Sequence, residues 1–277
     1  MNEVVRKRLL APGTKLIVVR NPTVASKVRP GQFMMVMSDE TGERIPLTAA
    51  DWDVEGGTVS IVFLEVGAST TKLGLVDEGS KLFHLAGPLG NPTEVARYGT
   101  VAIVGGGVGV ATAFPVARAM KEAGNEVLSI IGARSADRLI FEREMAGVSD
   151  ELYVTTDDGS RGRRGFVSDV LKDILQSGRK VDRVFTVGPT IMMKVVADTS
   201  KPFGVKTVAS LNPIMLCGMG MCGACRVKVG GTVRFACFEG PDFDAHEVDF
   251  RELLARLSQY REQETMAMEM LQRRLVV

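Results

Sequence analysis

The chain's four cysteines, Cys217, Cys222, Cys225 and Cys237, all fall in one short C-terminal stretch with the spacing C-x4-C-x2-C-x11-C. No other feature limits the possible folds so sharply, because four thiols this close together must converge to be used. The C-x4-C-x2-C run is the plant-type pattern of 2Fe–2S ligation. Such a cluster takes two thiolates on each iron. Gly218, Gly220 and Gly223 let the backbone wrap closely enough for amide N–H groups to reach sulfur. Structural zinc sites also use four cysteines, but usually as two C-x2-C knuckles with a longer insert. Two disulfides would be out of place in a chain of this size without a secretory leader. A 2Fe–2S centre carries one electron at a time, so something else must load it.

With 277 residues the chain has room for two ordinary domains and a small module. Its 45% apolar and 24% charged residues are those of a globular protein, and a net charge of +1 gives no reason to expect nucleic acid or an anionic membrane as partner. The most apolar run, Val101–Ala117, contains Gly105, Gly106, Gly107, Gly109 and Pro115 and reads poorly as a membrane span. Met1–Lys7 lacks the apolar stretch of a secretory signal, so the expected location is cytoplasmic.

Residues 1–96 read as short strands between turn residues, among them Lys15–Val19, Gln32–Met37 and Thr58–Leu64, which suggests a small antiparallel barrel. Arg44-Ile45-Pro46-Leu47-Thr48 sets a cation, a rigid proline and a hydroxyl at the start of one strand. Val66-Gly67-Ala68-Ser69-Thr70-Thr71 opens a helix, where free N–H groups favour a phosphate; alternatively, Ser69 or Thr70 simply caps that helix.

From Tyr98 onward strands and helices alternate: strands at Val101–Val104, Val127–Gly132, Leu152–Thr155, Arg183–Val187 and Val205–Ser210, helices from Gly109 to about Ala123, around Leu139–Ala146, at Phe166–Gln176 and near Thr190–Ala197. This pattern predicts a parallel sheet covered by helices on both faces. Gly105-Gly106-Gly107-Val108-Gly109 follows the first strand, where such sheets bind ligands, although its spacing departs from the G-x-G-x-x-G fingerprint.

In chain order, R-x-P-L-T, V-G-x-S-T, Gly87-Pro88-Leu89-Gly90, the glycine run at 105–109 and Val187-Gly188-Pro189 with Met192 resemble the ferredoxin–NADP reductase superfamily. With the cysteine block added, the chain resembles the electron-transfer subunit of dihydroorotate dehydrogenase. It is more similar still to the small subunit of NADH-dependent reduced ferredoxin:NADP oxidoreductase, an electron-bifurcating transhydrogenase. Thr156–Ser160, Ser210–Met215 and Gly240–His246 extend that similarity across nearly the whole chain.

The resemblance implies an FAD-binding barrel at 1–96, an NAD(P)-binding domain at 97–210, a 2Fe–2S module at 211–249 and a C-terminal helix at 250–277. It places the flavin ring along Arg44, Pro46, Leu47 and Thr48, the middle of FAD along Phe63, Leu64 and Glu65, and its pyrophosphate at Gly67, Ser69 and Thr70, with Gly87 nearby. Arg44 stands four residues before Thr48, where the dihydroorotate dehydrogenase subunits have three. The dinucleotide phosphates are expected over Gly105, Gly106, Gly107 and Gly109, with Asp157 at the nucleotide edge and the nicotinamide near Gly188 and Pro189. Some similar subunits have aspartate in place of Cys217; cysteine here implies all-thiolate ligation by Cys217, Cys222, Cys225 and Cys237. NAD(H) is the family's nucleotide. Arg134 could meet the extra phosphate of NADP(H), or pair with Asp137 or Glu142.

The implied function is hydride exchange between NAD(H) and FAD and single-electron exchange between FAD and the cluster, with no catalytic acid or base and with a larger flavin/iron–sulfur subunit as partner. The alternatives are the electron-transfer subunit of dihydroorotate dehydrogenase, that of a sulfide dehydrogenase or hydrogenase, and a non-enzymatic zinc-stabilised interaction protein. His84 and His246 read as packing residues, and Trp52 as packing over the barrel or the flavin. Beyond Asp249 one helix is expected, with Met266, Met268 and Met270 as an adaptable docking face or as part of its own core.

Overall fold

The computed structural model describes residues 1–275. Val276 and Val277, the end of the expected C-terminal helix, lie outside the described residues.

The first strands are β1 (Glu3–Ala11), β2 (Thr14–Arg20), β3 (Phe33–Met37), β4 (Ile45–Asp53), β5 (Thr58–Leu64) and β6 (His84–Leu89), with the one-turn helix α1 (Pro22–Ala25) and α2 (Ala68–Leu75) between them. They pair antiparallel in the order β1-β2-β5-β4-β3-β6. The segment leading into β6 lies along β1: Val4 N–H donates to Ser80 O at 2.8 Å and Leu82 N–H to Asn2 O at 2.9 Å. It covers part of the β1 edge. Alternate residues, including Ile17, Val19, Met34, Val36, Ile61 and Phe63, fill the interior.

The chain continues through β7 (Thr100–Gly106), α3 (Gly109–Glu122), β8 (Glu126–Ala133), α4 (Glu142–Gly147), β9 (Glu151–Thr156), β10 (Arg163–Arg164), α5 (Val167–Gln176), β11 (Arg183–Val187), α6 (Thr190–Ser200) and β12 (Thr207–Ser210). It ends with β13 (Arg226–Val229), β14 (Thr232–Phe235), α7 (Ala236–Glu239), β15 (Asp242–Asp244), α8 (Phe250–Leu257) and α9 (Arg261–Leu275). The large sheet runs β10-β9-β8-β7-β11-β12-β15, parallel except at β15. On β7, Val101 and Ile103 pack towards α3 while Ala102 and Val104 pack towards α5, so both faces are buried, as its unbroken apolar sequence requires.

Three expectations change. The helix expected around Leu139–Ala146 is a 3-10 turn at Ala136–Arg138 and the short α4, separated at Phe141, whose φ of 58° cannot continue a helix. The sheet gains β15, so the cysteine-bearing segment supplies an edge strand of the neighbouring sheet. The single C-terminal helix is two: it breaks at Ser258, whose hydroxyl donates back to Ala255 O at 2.8 Å and competes with the backbone ladder.

The modules share cores. Ala11, Ala50 and Val62 on the barrel's outer face pack with Val110, Phe114 and Ala117 of α3. Phe33 and Met35 of β3 join Met193 of α6, Cys225, Val227, Cys237 and Phe250 in another.

Candidate functional site

The cysteine loop folds into two thiol pairs. Cys225 and Cys237 are buried, with the Cys225 thiol donating to Cys237 Sγ at 3.2 Å, and Gly220 N–H reaches the same sulfur at 3.1 Å. Cys217 and the exposed Cys222 form the other pair, with Met219 N–H pointing at Cys217 Sγ at 3.5 Å. Two sulfurs on one tetrahedral ion with bonds of about 2.3 Å stand about 3.7 Å apart, so the inner pair needs to open only slightly. A two-iron centre takes two thiolates on each iron with backbone N–H groups on the sulfurs, and these two pairs fit that donor set. Burial alone would raise the Cys217 thiol, but the amides of Cys222, Met219 and Met221 outweigh it and hold it at about 6. Cys237 is pushed up to about 12 by burial and by its bond with Cys225, against the pull of Gly220 N–H.

This loop lies against the barrel. A Cβ at Gly218, which has a φ of 75°, would stand 2.7 Å from Met35 Cγ and 3.0 Å from Leu89 Cδ1. Met35 lies on β3, whose Phe33 pairs with Thr48 of β4. Arg44 is exposed and Pro46, Leu47 and Thr48 are half-buried, a strip open to a ligand. Phe63 is 1% exposed and points into the barrel core, so only its backbone faces outward. Glu65 pairs with Lys15 at 2.8 Å. At the entry to α2, Thr70 Oγ1 accepts from Val66 N–H at 3.1 Å and Gly67 N–H at 3.2 Å, while Ser69 donates to the Glu43 carboxylate at 2.8 Å. Thr70, at the third helical position, therefore reaches back to the N-cap Gly67, and an anionic side chain already occupies the neighbourhood of a phosphate.

The glycine-rich turn follows β7 at the point where the sheet order reverses between β7 and β11, which is where open parallel sheets form a ligand crevice. Gly107 has a φ of 55° with open space around it. A Cβ on Gly109 would meet Val187 O at 2.6 Å, so this wall touches the one bearing Gly188 and Pro189. Met192 leans on the same place: a Cβ at Gly106 would stand 2.3 Å from its Sδ. Arg134 is exposed at the end of β8 and forms no ion pair among the described residues; Glu142 pairs with Arg161 at 2.6 Å. Asp157 and Asp158 stand in a turn closed by Gly159 N–H on Thr156 O at 3.1 Å.

Residues 212–249 match the iron–sulfur cluster binding domain of dihydroorotate dehydrogenase B, and residues 103–198 match the oxidoreductase NAD-binding domain. The dihydroorotate dehydrogenase B (NAD(+)) electron transfer subunit homolog of Thermotoga maritima is 48% identical over 97% of this chain and 95% of its own. The chain belongs to that family. The electron transfer subunit of Clostridium perfringens is 31% identical over 81% of this chain and 89% of its own. Among solved structures, a chain of the NADH-dependent reduced ferredoxin–NADP oxidoreductase superposes with a TM-score of 0.93 at 48% identity, covering 97% of each.

Several structurally prominent residues of this family member carry no motif. Arg118 of α3 pairs with Asp51 at 2.8 Å and lies over Trp52 at 5.3 Å, joining the two large domains and placing Trp52 at their boundary. His246 Nε2 hydrogen-bonds Ser200 Oγ at 3.0 Å, in keeping with a packing role. Their partners are far away in sequence, so no local signal announces them.

Proposed function

We propose that this chain is the electron-transfer flavoprotein subunit of an NADH-dependent reduced ferredoxin:NADP oxidoreductase, exchanging hydride between NAD(H) and FAD and single electrons between FAD and a 2Fe–2S cluster. The observation that carries this reading is the seating of Gly218, next to the first cluster cysteine, directly on Met35 and Leu89 of the barrel. FAD would accept an electron pair as hydride and release the electrons singly, which the cluster requires. The chain's own residues position: Arg44, Pro46, Leu47 and Thr48 line the flavin ring, Gly67, Ser69 and Thr70 receive the pyrophosphate once Glu43 moves aside, and Gly105–Gly109 with Gly188 and Pro189 hold the nicotinamide dinucleotide. Cys217, Cys222, Cys225 and Cys237 hold the two irons.

The proposed boundaries are a flavin domain at 1–96, a nucleotide domain at 97–210, a cluster module at 211–249 and a docking segment from 250. Leu216, Met219, Met221 and Phe238 are 55–81% exposed around the cluster loop, an apolar rim suited to a larger flavin/iron–sulfur subunit. None of the described helices is long and apolar enough to cross a membrane, and we place the complex in the cytoplasm.

The purified subunit is expected to show a flavin spectrum, a reducible 2Fe–2S signal by electron paramagnetic resonance and NADH-dependent dye reduction. A colourless protein, or one holding zinc without iron, overturns the reading. The match of 212–249 to the dihydroorotate dehydrogenase B cluster domain favours a second reading, as that enzyme's electron-transfer subunit. Turnover of the assembled complex with dihydroorotate, and not with NADPH plus ferredoxin, would select it.

A further inference from the structure

The turn that carries the fourth cluster thiol is fastened to the flavin domain's exit linker. Asn91, just after β6, donates its carboxamide N–H to Phe238 O at 3.2 Å and Glu239 O at 3.1 Å, and its backbone N–H to Gly240 O at 2.7 Å. Two facing carbonyls can be satisfied only by the NH2 end of that side chain. The acceptors close α7, a single turn that contains Cys237 and is too short to persist unaided. On either side the fastening continues. Gln32 Nε2 donates to Gly90 O at 2.7 Å, and Thr93 Oγ1 donates to Asp242 Oδ2 at 2.6 Å. A Cβ at Gly90 would stand 3.1 Å from Pro241 Cδ and 3.2 Å from Gly240 O, so the two segments lie close together. One unbroken path thus runs from the foot of β3 through Gly90–Thr93 to the residues directly after Cys237.

We propose that Asn91 is a positioning residue for electron passage between flavin and cluster, fixing the Cys237 turn at a set separation from the barrel. This rests on the functional reading above. In the step it serves, the reduced flavin loses one electron and the oxidised cluster gains it. NADH supplies the electron pair to the flavin, and the partner subunit draws electrons from the cluster one at a time. Asn91 itself transfers neither electron nor proton.

The test uses the full-length holoprotein as wild type, N91A, the isosteric N91D and N91Q. Rapid mixing with NADH should show flavin reduction unchanged in all four, while cluster reduction slows several-fold in N91A and N91D, because electron tunnelling falls off with donor–acceptor separation. N91D places a carboxylate against two carbonyls, and N91Q keeps the donor and should recover part of the rate. Independently of turnover, amide hydrogen exchange over residues 236–241 should quicken about tenfold in N91A and N91D, as expected for losing one or two net hydrogen bonds. Wild-type cluster reduction, or unchanged exchange, in both N91A and N91D overturns the proposal. A wild-type flavin that NADH does not reduce would instead sink the functional reading, and the exchange data would still decide whether Asn91 holds the turn.

Discussion

Asp242 is a carboxylic acid placed where a carboxylate is costly. The residue as a whole is only partly buried, yet its Oδ1 is sealed from solvent and has no hydrogen-bond partner, and Arg183 Nε nearby is orphaned in the same way. Burial raises the Asp242 carboxyl above the usual range, against the pull of Thr93, Ser210 and Arg183. Glu94, paired with Arg183 at 3.1 Å, Asp244 and Lys206 are the other charged groups near it. Because the native pKa lies above that of the unfolded chain, the protonated acid's contribution is fully present below the unfolded value of about 3.9 and is lost as pH rises through the native one. Asp242→Asn removes the ionisation. Thermal melts from about pH 4 upward should therefore show the variant gaining on wild type as pH rises past the unfolded value, until the native one is passed; a constant difference throughout would contradict the assignment. Asp242 lies in a stretch that resembles the family, but nothing in that stretch shows its burial, because its surroundings come from Thr93 and Arg183, both remote in the chain. The cysteines are legible for the opposite reason: their close spacing along the chain is itself what gathers them into one loop.

Among the elements, α2 and the C-terminal pair show how far periodicity reaches. The helix after Val66 was expected and is found, but its first turn serves itself through Thr70, and no local signal shows that Glu43 pairs with Ser69. The apolar spacing of Phe250, Leu253, Leu254 and Leu257 marks α8 as a core helix, and Phe250 and Leu253 are buried with Cys225 and Cys237. α9 differs. Met266 and Met270 are exposed, Thr71 of α2 meets Met268 Sδ at 3.9 Å, and Leu271 is its one fully buried side chain. Leu271→Ala should cost up to about 2–3 kcal/mol of that helix's own docking while leaving the global melt nearly unchanged. Limited trypsin digestion checks this: faster cutting at Arg261 supports it, and a wild-type digestion pattern counts against it.

At the scale of the molecule, the parts share strands and cores. β15 of the cluster segment completes the nucleotide sheet, and β3 of the barrel packs on the cysteine loop. The electron path is nevertheless divisible by chemistry. Cys237→Ser should abolish the 2Fe–2S signal and transfer to the partner, while dye reduction that draws directly on the flavin persists. Loss of both activities together, with FAD retained, would show that the cluster is needed for hydride entry and would contradict the order of steps. The barrel, the alternating sheet and the gathering of the four thiols into one loop could all be read from the sequence, because each depends on near neighbours: period-two apolar residues, a strand before a glycine turn, thiols at fixed intervals. The break at Ser258, the edge strand β15, the Arg118–Asp51 clasp and the Asn91 fastening could not be. Each is decided by which distant segment comes to lie alongside, and that depends on shared burial and hydrogen-bond satisfaction across the whole fold.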